Sequence, residues 1–566
     1  MNRRTIGGVG GWLALCGAIA AQPPPADLVL RGAAVYTMDA ARSWAQAVAV
    51  RGGKIVFVGS DAAARGWIGP DTEVLALDGK LVLPGFQDAH VHPISGGVEL
   101  GLCNLNGLET GAAIFERIRS YAAEHPEQPW ILGGGWDLPI FPDANPSKDQ
   151  LDAIVSDRPA FLSAADGHSG WVNSKALELA GIDANIPDPK DGRIERGPDG
   201  APSGTLRESA MDLVAELLPE PSAEQRLEGL RRALALLNRH GVTAFQEASA
   251  GRDYLETYRE AERRGELTAR AVVAMYADPE SGPEQIEQFV EWRNEFRSDR
   301  IHPVAIKFFE DGVIEARTAA MLEPYLDQPG RRGEPIWPAE RLSAMVSRLA
   351  RADFNIHVHA IGDRAIRLAL DAFQAARAEE SARAPRHQIA HLELIDPADI
   401  GRFRALRVVA NFQPLWGYAD SYITDLTWPA LGPERSRWIY PIASVAAAGA
   451  PLAFGSDWSV SSLNPLEGIQ VAVTRQRPRA PFGDPLLAEQ AIDLPTALAA
   501  YTIGSAYALG LEQQTGSIEV GKAADLIVLG SNLFTIDPHQ IGRTEVLLTL
   551  LDGRPVYRAA SLGGKR

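Results

Sequence analysis

Two histidines separated by one residue, His90 and His92, close an apolar run in "LPGFQDAHVHP". Side chains alternate between the faces of a β-strand, so this spacing turns both imidazoles the same way. Two neutral imidazoles aimed at one point begin a zinc site. A lone pair of this kind specifies little, because the end of any strand can carry two solvated histidines. Other ionisable residues stand in similar surroundings. They are Lys307 in "VAIKFF", His357 and His359 in "IHVHAIGD", His391 in "QIAHLELI" and Asp457 in "FGSDW". Each has an ordinary explanation when taken alone: a lysine reaching back to solvent, a hydrogen-bonded core histidine, an aspartate in a turn. Recurring as a set, they require elements that bring them together.

Those elements can be read from periodicity. Leu227, Leu230, Leu234 and Leu237 form one helical stripe that stops at Gly241, and Leu342, Met345, Val346 and Leu349 form another. Each helix runs into a β-type segment, the signature of parallel strands covered by helices. Eight such segments occur: "GFQDAHVH", "VTAFQEAS", "ARAVVAMYA", "VAIKFFEDG", "NIHVHAIGD", "QIAHLELI", "VVANFQPL" and "PLAFGSDWS". Eight is the number that closes a TIM-like (β/α)8 barrel. His90 and His92 fall on strand 1, Lys307 on strand 4, His357 and His359 on strand 5, His391 on strand 6 and Asp457 on strand 8. All lie at or near strand ends, where such barrels build their sites. The expected fold is therefore α/β, with a barrel over 84–514. An insertion at about 94–240 follows strand 1 and is longer than an ordinary loop. Short β-type runs over 25–83 and 515–560 suggest a small β-sandwich made from both chain ends.

Bulk composition narrows the functional classes. The 566 residues carry a formal charge of −17 with no basic stripe, which argues against nucleic acid as a partner. Arg3 and Arg4, then a short apolar, glycine-rich run closing at Ala21, read as a secretory signal over 1–21. The run is too short for a comfortable membrane span. The expected location is secreted, in a bacterial periplasm, with a lipid anchor on Cys16 disfavoured by the bulky Leu15. Cys103 would then stand alone, and no catalytic role is assigned to it. A homodimer is left open.

The order and contexts of these residues resemble the amidohydrolase superfamily, and within it the YtcJ-like branch that includes N-substituted formamide deformylases. The stretches that carry the resemblance are "LPGFQDAHVHP", "WILGGGWD", "SAADGHSGWVNSKAL", "IKFFEDGVIEARTA", "IHVHAIGDRAI", "HLELI" and "FGSDW". The resemblance implies a divalent metal cofactor. His90, His92 and Asp457 would hold one ion and His359 and His391 a second. Lys307 would bridge the two after carboxylation by CO2. An ammonium repels a metal, whereas a carbamate is an anion with two oxygen donors. Forming one needs a neutral amine, so burial must depress a pKa that starts near ~10.4. His357 shares a face with His359. The resemblance favours His359 as the ligand and leaves His357 behind it.

The implied reaction is hydrolysis of a non-peptide C–N bond in a small N-acyl, N-formyl or related amide. A metal-activated hydroxide attacks, and Asp457 serves as general base and then general acid. Zinc suits the ligands best, with iron or manganese as alternatives. His168, Trp136 and Arg317 are candidate substrate contacts, with Trp136 and Trp171 equally placed to be core. Glu310, Asp311 and Arg317 are candidates for orienting the loop after strand 4 or the substrate. The rival readings are ester, lactone or phosphotriester hydrolysis at the same centre, or a periplasmic metal- or ligand-binding protein without turnover.

Overall fold

The computed structural model describes residues 24–377 and 385–562. The expected signal segment, with Cys16, lies outside the described residues. Eight parallel strands form the central sheet: β1 Phe86–Val91, β2 Val242–Ala250, β3 Arg270–Tyr276, β4 Ile301–Phe309, β5 Asn355–Ala360, β6 Gln388–His391, β7 Val409–Phe412 and β8 Leu452–Phe454. They pair in sequence order from β1 to β8. β1, β5, β6 and β7 are buried along their whole length, so the histidines they carry are enclosed with them.

The helix Ala223–Arg239 leads into β2. Ser222 caps it with a capping box, and Leu227, Leu230, Leu234 and Leu237 are buried against the sheet. Ala339–Arg351 does the same for β5 through Leu342, Met345, Val346 and Leu349.

β8 and β1 share no ladder, yet the chain past β8 nearly closes the barrel. The Asp457 N–H donates to the His90 carbonyl at 2.8 Å, and the His92 N–H donates to the Trp458 carbonyl at 2.9 Å. Closure therefore sets Asp457 beside both strand 1 histidines.

A second sheet draws on both ends of the chain. Its order is Arg554–Arg558, Val546–Leu551, Leu526–Leu529, Leu81–Pro84, Leu28–Tyr36, Trp44–Arg51 and Lys54–Gly59, and Glu73–Ala76 also pairs with Leu28–Tyr36. A buried ion cluster ties it to the barrel. Arg270, at the start of β3, binds Asp525 at 2.9 Å and Asp552 at 2.5 Å. Removing one member of a buried pair strands a charge. Asp525→Ala should cost about 3 kcal/mol, the lower end for such losses because Asp552 remains. Urea unfolding followed by circular dichroism checks this.

Between β1 and β2 lies a third sheet of six strands. Its order is Gly192–Arg196, Pro202–Glu208, Ser169–Val172, Ala160–Ala164, Ile131–Trp136 and Cys103–Asn104. It packs its own core around Trp136, Trp171, Phe141 and Leu151. Among the described residues, no helix is long and apolar enough to cross a membrane.

Candidate metal centre and active site

His90, His92 and Asp457 come together at the C-terminal ends of β1 and β8, with one ligand atom from each within 4.8 Å of the others. Asp457 Oδ1 is 3.4 Å from His90 Nε2 and 3.3 Å from His92 Nε2. Two ligands held tetrahedrally at ~2.0–2.1 Å from zinc are about 3.3–3.4 Å apart, so these spacings fit one ion. Asp457 Oδ1 is buried and has no hydrogen-bond partner among the described residues. A buried carboxylate oxygen left bare in this way needs a cation or a proton donor.

The other ring nitrogens are already engaged. His90 Nδ1 meets His357 Nε2 at 2.8 Å, and His92 Nδ1 lies 3.6 Å from Glu247. This is how proteins orient histidine ligands: one nitrogen is engaged by the protein and the other is left for the metal. Burial, reinforced by Lys307 and neighbouring imidazoles, pushes His90 well below the usual histidine range, so the ring is neutral and able to ligate. Burial would also lower His92, but the Asp457 and Glu247 carboxylates outweigh it and hold the ring up at about 9.

A second group of donors adjoins the first. The His359 and His391 rings lie 4.5 Å apart, centre to centre, and His391 Nδ1 is 3.7 Å from Asp457 Oδ2. That nitrogen too is buried without a hydrogen-bond partner among the described residues. Burial drives both imidazoles well below their ordinary range. Lys307 is fully buried, with its Nζ 4.4 Å from the centre of the Phe309 ring. Burial brings its ammonium down to about 7 against the opposing pull of Asp457. His391, Leu392 and Asp457 all have positive φ, at 78°, 57° and 53°. Such backbone costs non-glycine residues of order 1 kcal/mol or more, and it gathers where a side chain must be aimed.

Gly455 shows how tight the closure is. A Cβ there would fall 2.6 Å from the His90 backbone nitrogen. Gly455→Ala should therefore move β8 off β1, costing about 1–3 kcal/mol and lowering the zinc retained after dialysis. Thermal melting and atomic absorption on the same sample check both effects.

The centre opens into a cavity of about 1390 Å3, lined by His92, His359, His391 and Asp457 together with His168 from the insertion. The His168 ring lies tilted against His359, 5.2 Å between centres. Two expected substrate contacts need correcting. Trp136 has no exposed surface, donates its indole N–H to the Leu162 carbonyl at 2.9 Å and packs on Phe141 and Trp171. It is core of the insertion, while its neighbours Gly135 and Asp137 line the cavity. Arg317 is a brace: its guanidinium holds Asp327 at 2.9 Å and the carbonyls of Ile314 and Glu315. Trp171 is also core, donating to Ser147.

Asp311 accepts the N–H groups of Ala320, Ile361 and Gly362 and lies 3.7 Å from His359. Glu310 is fully buried away from the cavity with neither oxygen hydrogen-bonded. Burial raises the Cys103 thiol to about 12, so it carries no nucleophilic thiolate near neutral pH.

Two carboxylates were missed in the sequence. Glu247, inside β2, accepts from the Tyr258 hydroxyl at 2.8 Å and backs His92. An acid inside a buried barrel strand was the available signal. Glu208 holds His168 from a neighbouring strand of the insertion, and nothing periodic marks it.

Known proteins resemble this chain over most of its length. The amidohydrolase family model matches residues 73–557. The putative amidohydrolase YtcJ of Bacillus subtilis is 30% identical over 94% of this chain and 99% of its own length. The N-substituted formamide deformylase of Arthrobacter pascens is 29% identical over 93% of this chain and 97% of its own. The crystal structure of an uncharacterized metal-dependent hydrolase from Pyrococcus horikoshii superposes with a TM-score of 0.71 at 25% identity, covering 90% of this chain and 99% of that one. With a family match over most of its length, the chain belongs to the amidohydrolase family and is one of its hydrolases.

Proposed function

We propose that the protein is a metal-dependent hydrolase that cleaves a non-peptide C–N bond in a small N-acyl or N-formyl amide. The observation that carries this reading is the convergence of His90 Nε2 and His92 Nε2 on the bare Oδ1 of Asp457. The residues fit a divalent ion, preferably zinc, held by His90, His92 and Asp457. His359 and His391 suit a second ion, and Lys307 suits a bridging role as its carbamate. A bound ion supplies a Lewis acid and a water of lowered pKa.

The chain's own contributions follow from placement. Asp457 takes the proton as water adds to the substrate carbonyl, and returns it to the nitrogen as the C–N bond breaks. The products are then a carboxylic acid and a neutral amine, and no amide anion has to leave. His357 and Glu247 keep the two strand 1 rings turned toward the centre. The insertion over 94–240 walls the cavity and supplies His168 as a substrate contact, while the sheet built from 25–83 and 515–560 serves as a separate sandwich domain. Export to a periplasm remains the reading of segment 1–21.

The test is a panel of N-formyl, N-acetyl and longer N-acyl amines, with esters and a phosphotriester alongside, offered to protein loaded with zinc and bicarbonate. Amine release that stops with a chelator and returns with zinc supports the proposal. Turnover of the esters or phosphotriester alone contradicts it.

A further inference from the structure

We infer that Glu208 is a positioning residue that aims His168 at the carbonyl oxygen of the substrate. The inference rests on the amide-hydrolase reading and extends it to a residue pair in the insertion.

His168 and Glu208 are cross-strand neighbours. Ser169 pairs with Arg207, and the Glu208 N–H donates to the His168 carbonyl at 3.2 Å. Their side chains meet as well, with His168 Nδ1 2.8 Å from Glu208 Oε2. The second carboxylate oxygen is held from the barrel side, where the Thr318 hydroxyl donates to Oε1 at 2.6 Å. Glu208 is thus fixed between the insertion and the loop after β4, and it fixes the imidazole in turn.

Two features show that this placement is built in. Glu208 adopts φ 48°, a left-handed backbone that disfavours glutamate. A Cβ on Gly312 would stand 2.3 Å from Glu208 Oε1, so a glycine there admits the carboxylate. The Gly312 carbonyl in turn lies 3.3 Å from His359 Nε2, which links the same loop to the centre.

With Nδ1 committed to Glu208, only Nε2 of His168 is free to act. The ring lines the cavity and lies tilted against His359, and among the described residues Nε2 has no hydrogen-bond partner. A group held this firmly beside the reacting position stabilises charge without reorganising, and one such hydrogen bond is worth roughly 10²-fold in rate.

The experiment is a double-mutant cycle on the zinc-loaded full chain with Glu208→Gln, His168→Asn and both together, joined by Thr318→Val. With the best-hydrolysed amide of the panel, each of the first two variants should lose about 100-fold in kcat while KM moves less than about threefold. Zinc content should match the unmutated protein. The double variant should be no slower than His168→Asn, because Glu208 acts through that ring. Thr318→Val should show a smaller loss of the same kind. Losses that multiply in the double variant overturn the inference.

A second readout needs no turnover. In protein with 15N-labelled histidine, His168 is assigned by its disappearance in His168→Asn. Its Nδ1 signal should be that of a strongly hydrogen-bonded N–H and should change in Glu208→Gln, and its Nε2 signal should shift when acetate is added as a mimic of the acyl product. A His168 ring indifferent to Glu208→Gln, or to acetate, overturns the inference. If these spectra behave as expected but no amide is hydrolysed, the amide reading fails and the positioning role of Glu208 stands.

Discussion

Asp457→Asn should lower kcat for amide hydrolysis by about 10³- to 10⁴-fold, near the upper limit for losing a proton-transfer group. The substitution keeps shape and leaves an amide oxygen, so a metal can still be held. It removes the negative charge that lies 3.3–3.4 Å from both strand 1 imidazoles, and with it the base. The neighbouring carboxylates already have partners: Glu247 Oε2 accepts from Tyr258, Asp88 accepts from the His90 and Ser456 N–H groups, and Asp311 accepts three backbone N–H groups. Amine release measured together with zinc content separates the effects. A loss under tenfold with zinc retained would show that another group moves the proton.

Lys307→Met should give the second large effect, and it should spare the fold. Methionine has nearly the volume of lysine and does not carry an amine into a dry barrel, so thermal stability should hold or rise. The Lys307 side chain is fully buried and its ammonium is brought down to about 7 by that burial. A sizeable neutral fraction therefore exists at physiological pH, which is the form CO2 carboxylates. Unmutated protein stripped of CO2 should lose activity and regain it with bicarbonate. The variant should hold less zinc, turn over roughly 10²-fold more slowly and ignore bicarbonate. Full zinc content and full activity in Lys307→Met would remove the bridging role.

The barrel was legible because its strands obey rules that act within a few residues. Parallel strands buried on both faces are largely apolar, so His90, His92, Lys307, His359, His391 and Asp457 stood out against their runs. Their meeting point follows from the strand order and the C-terminal rule for barrels. What escaped notice depends on contacts between distant segments. Glu247 sits in a strand that had been read correctly, but its role appears only when His92 is brought within 3.6 Å of it. Glu208 becomes visible only through its pairing with a strand some forty residues earlier in the chain. Trp136 misled because it follows a glycine run beside the site. Gly135 turns the chain at φ 95°, Asp137 faces the cavity, and the large ring is sent into the insertion's core. Arg317 misled by nearness in sequence to Lys307. Its own turn, at φ 61°, directs the guanidinium to Asp327.

The central claim is that β1 and β8 hold a catalytic metal between His90, His92 and Asp457. Anomalous X-ray diffraction from a crystal of zinc-loaded protein, collected above and below the zinc absorption edge, tests it most directly. The account predicts a peak within bonding distance of His90 Nε2, His92 Nε2 and an Asp457 carboxylate oxygen, about 2.0–2.2 Å from each. A zinc-loaded crystal with no peak there, or with zinc bound only at surface residues, would contradict it.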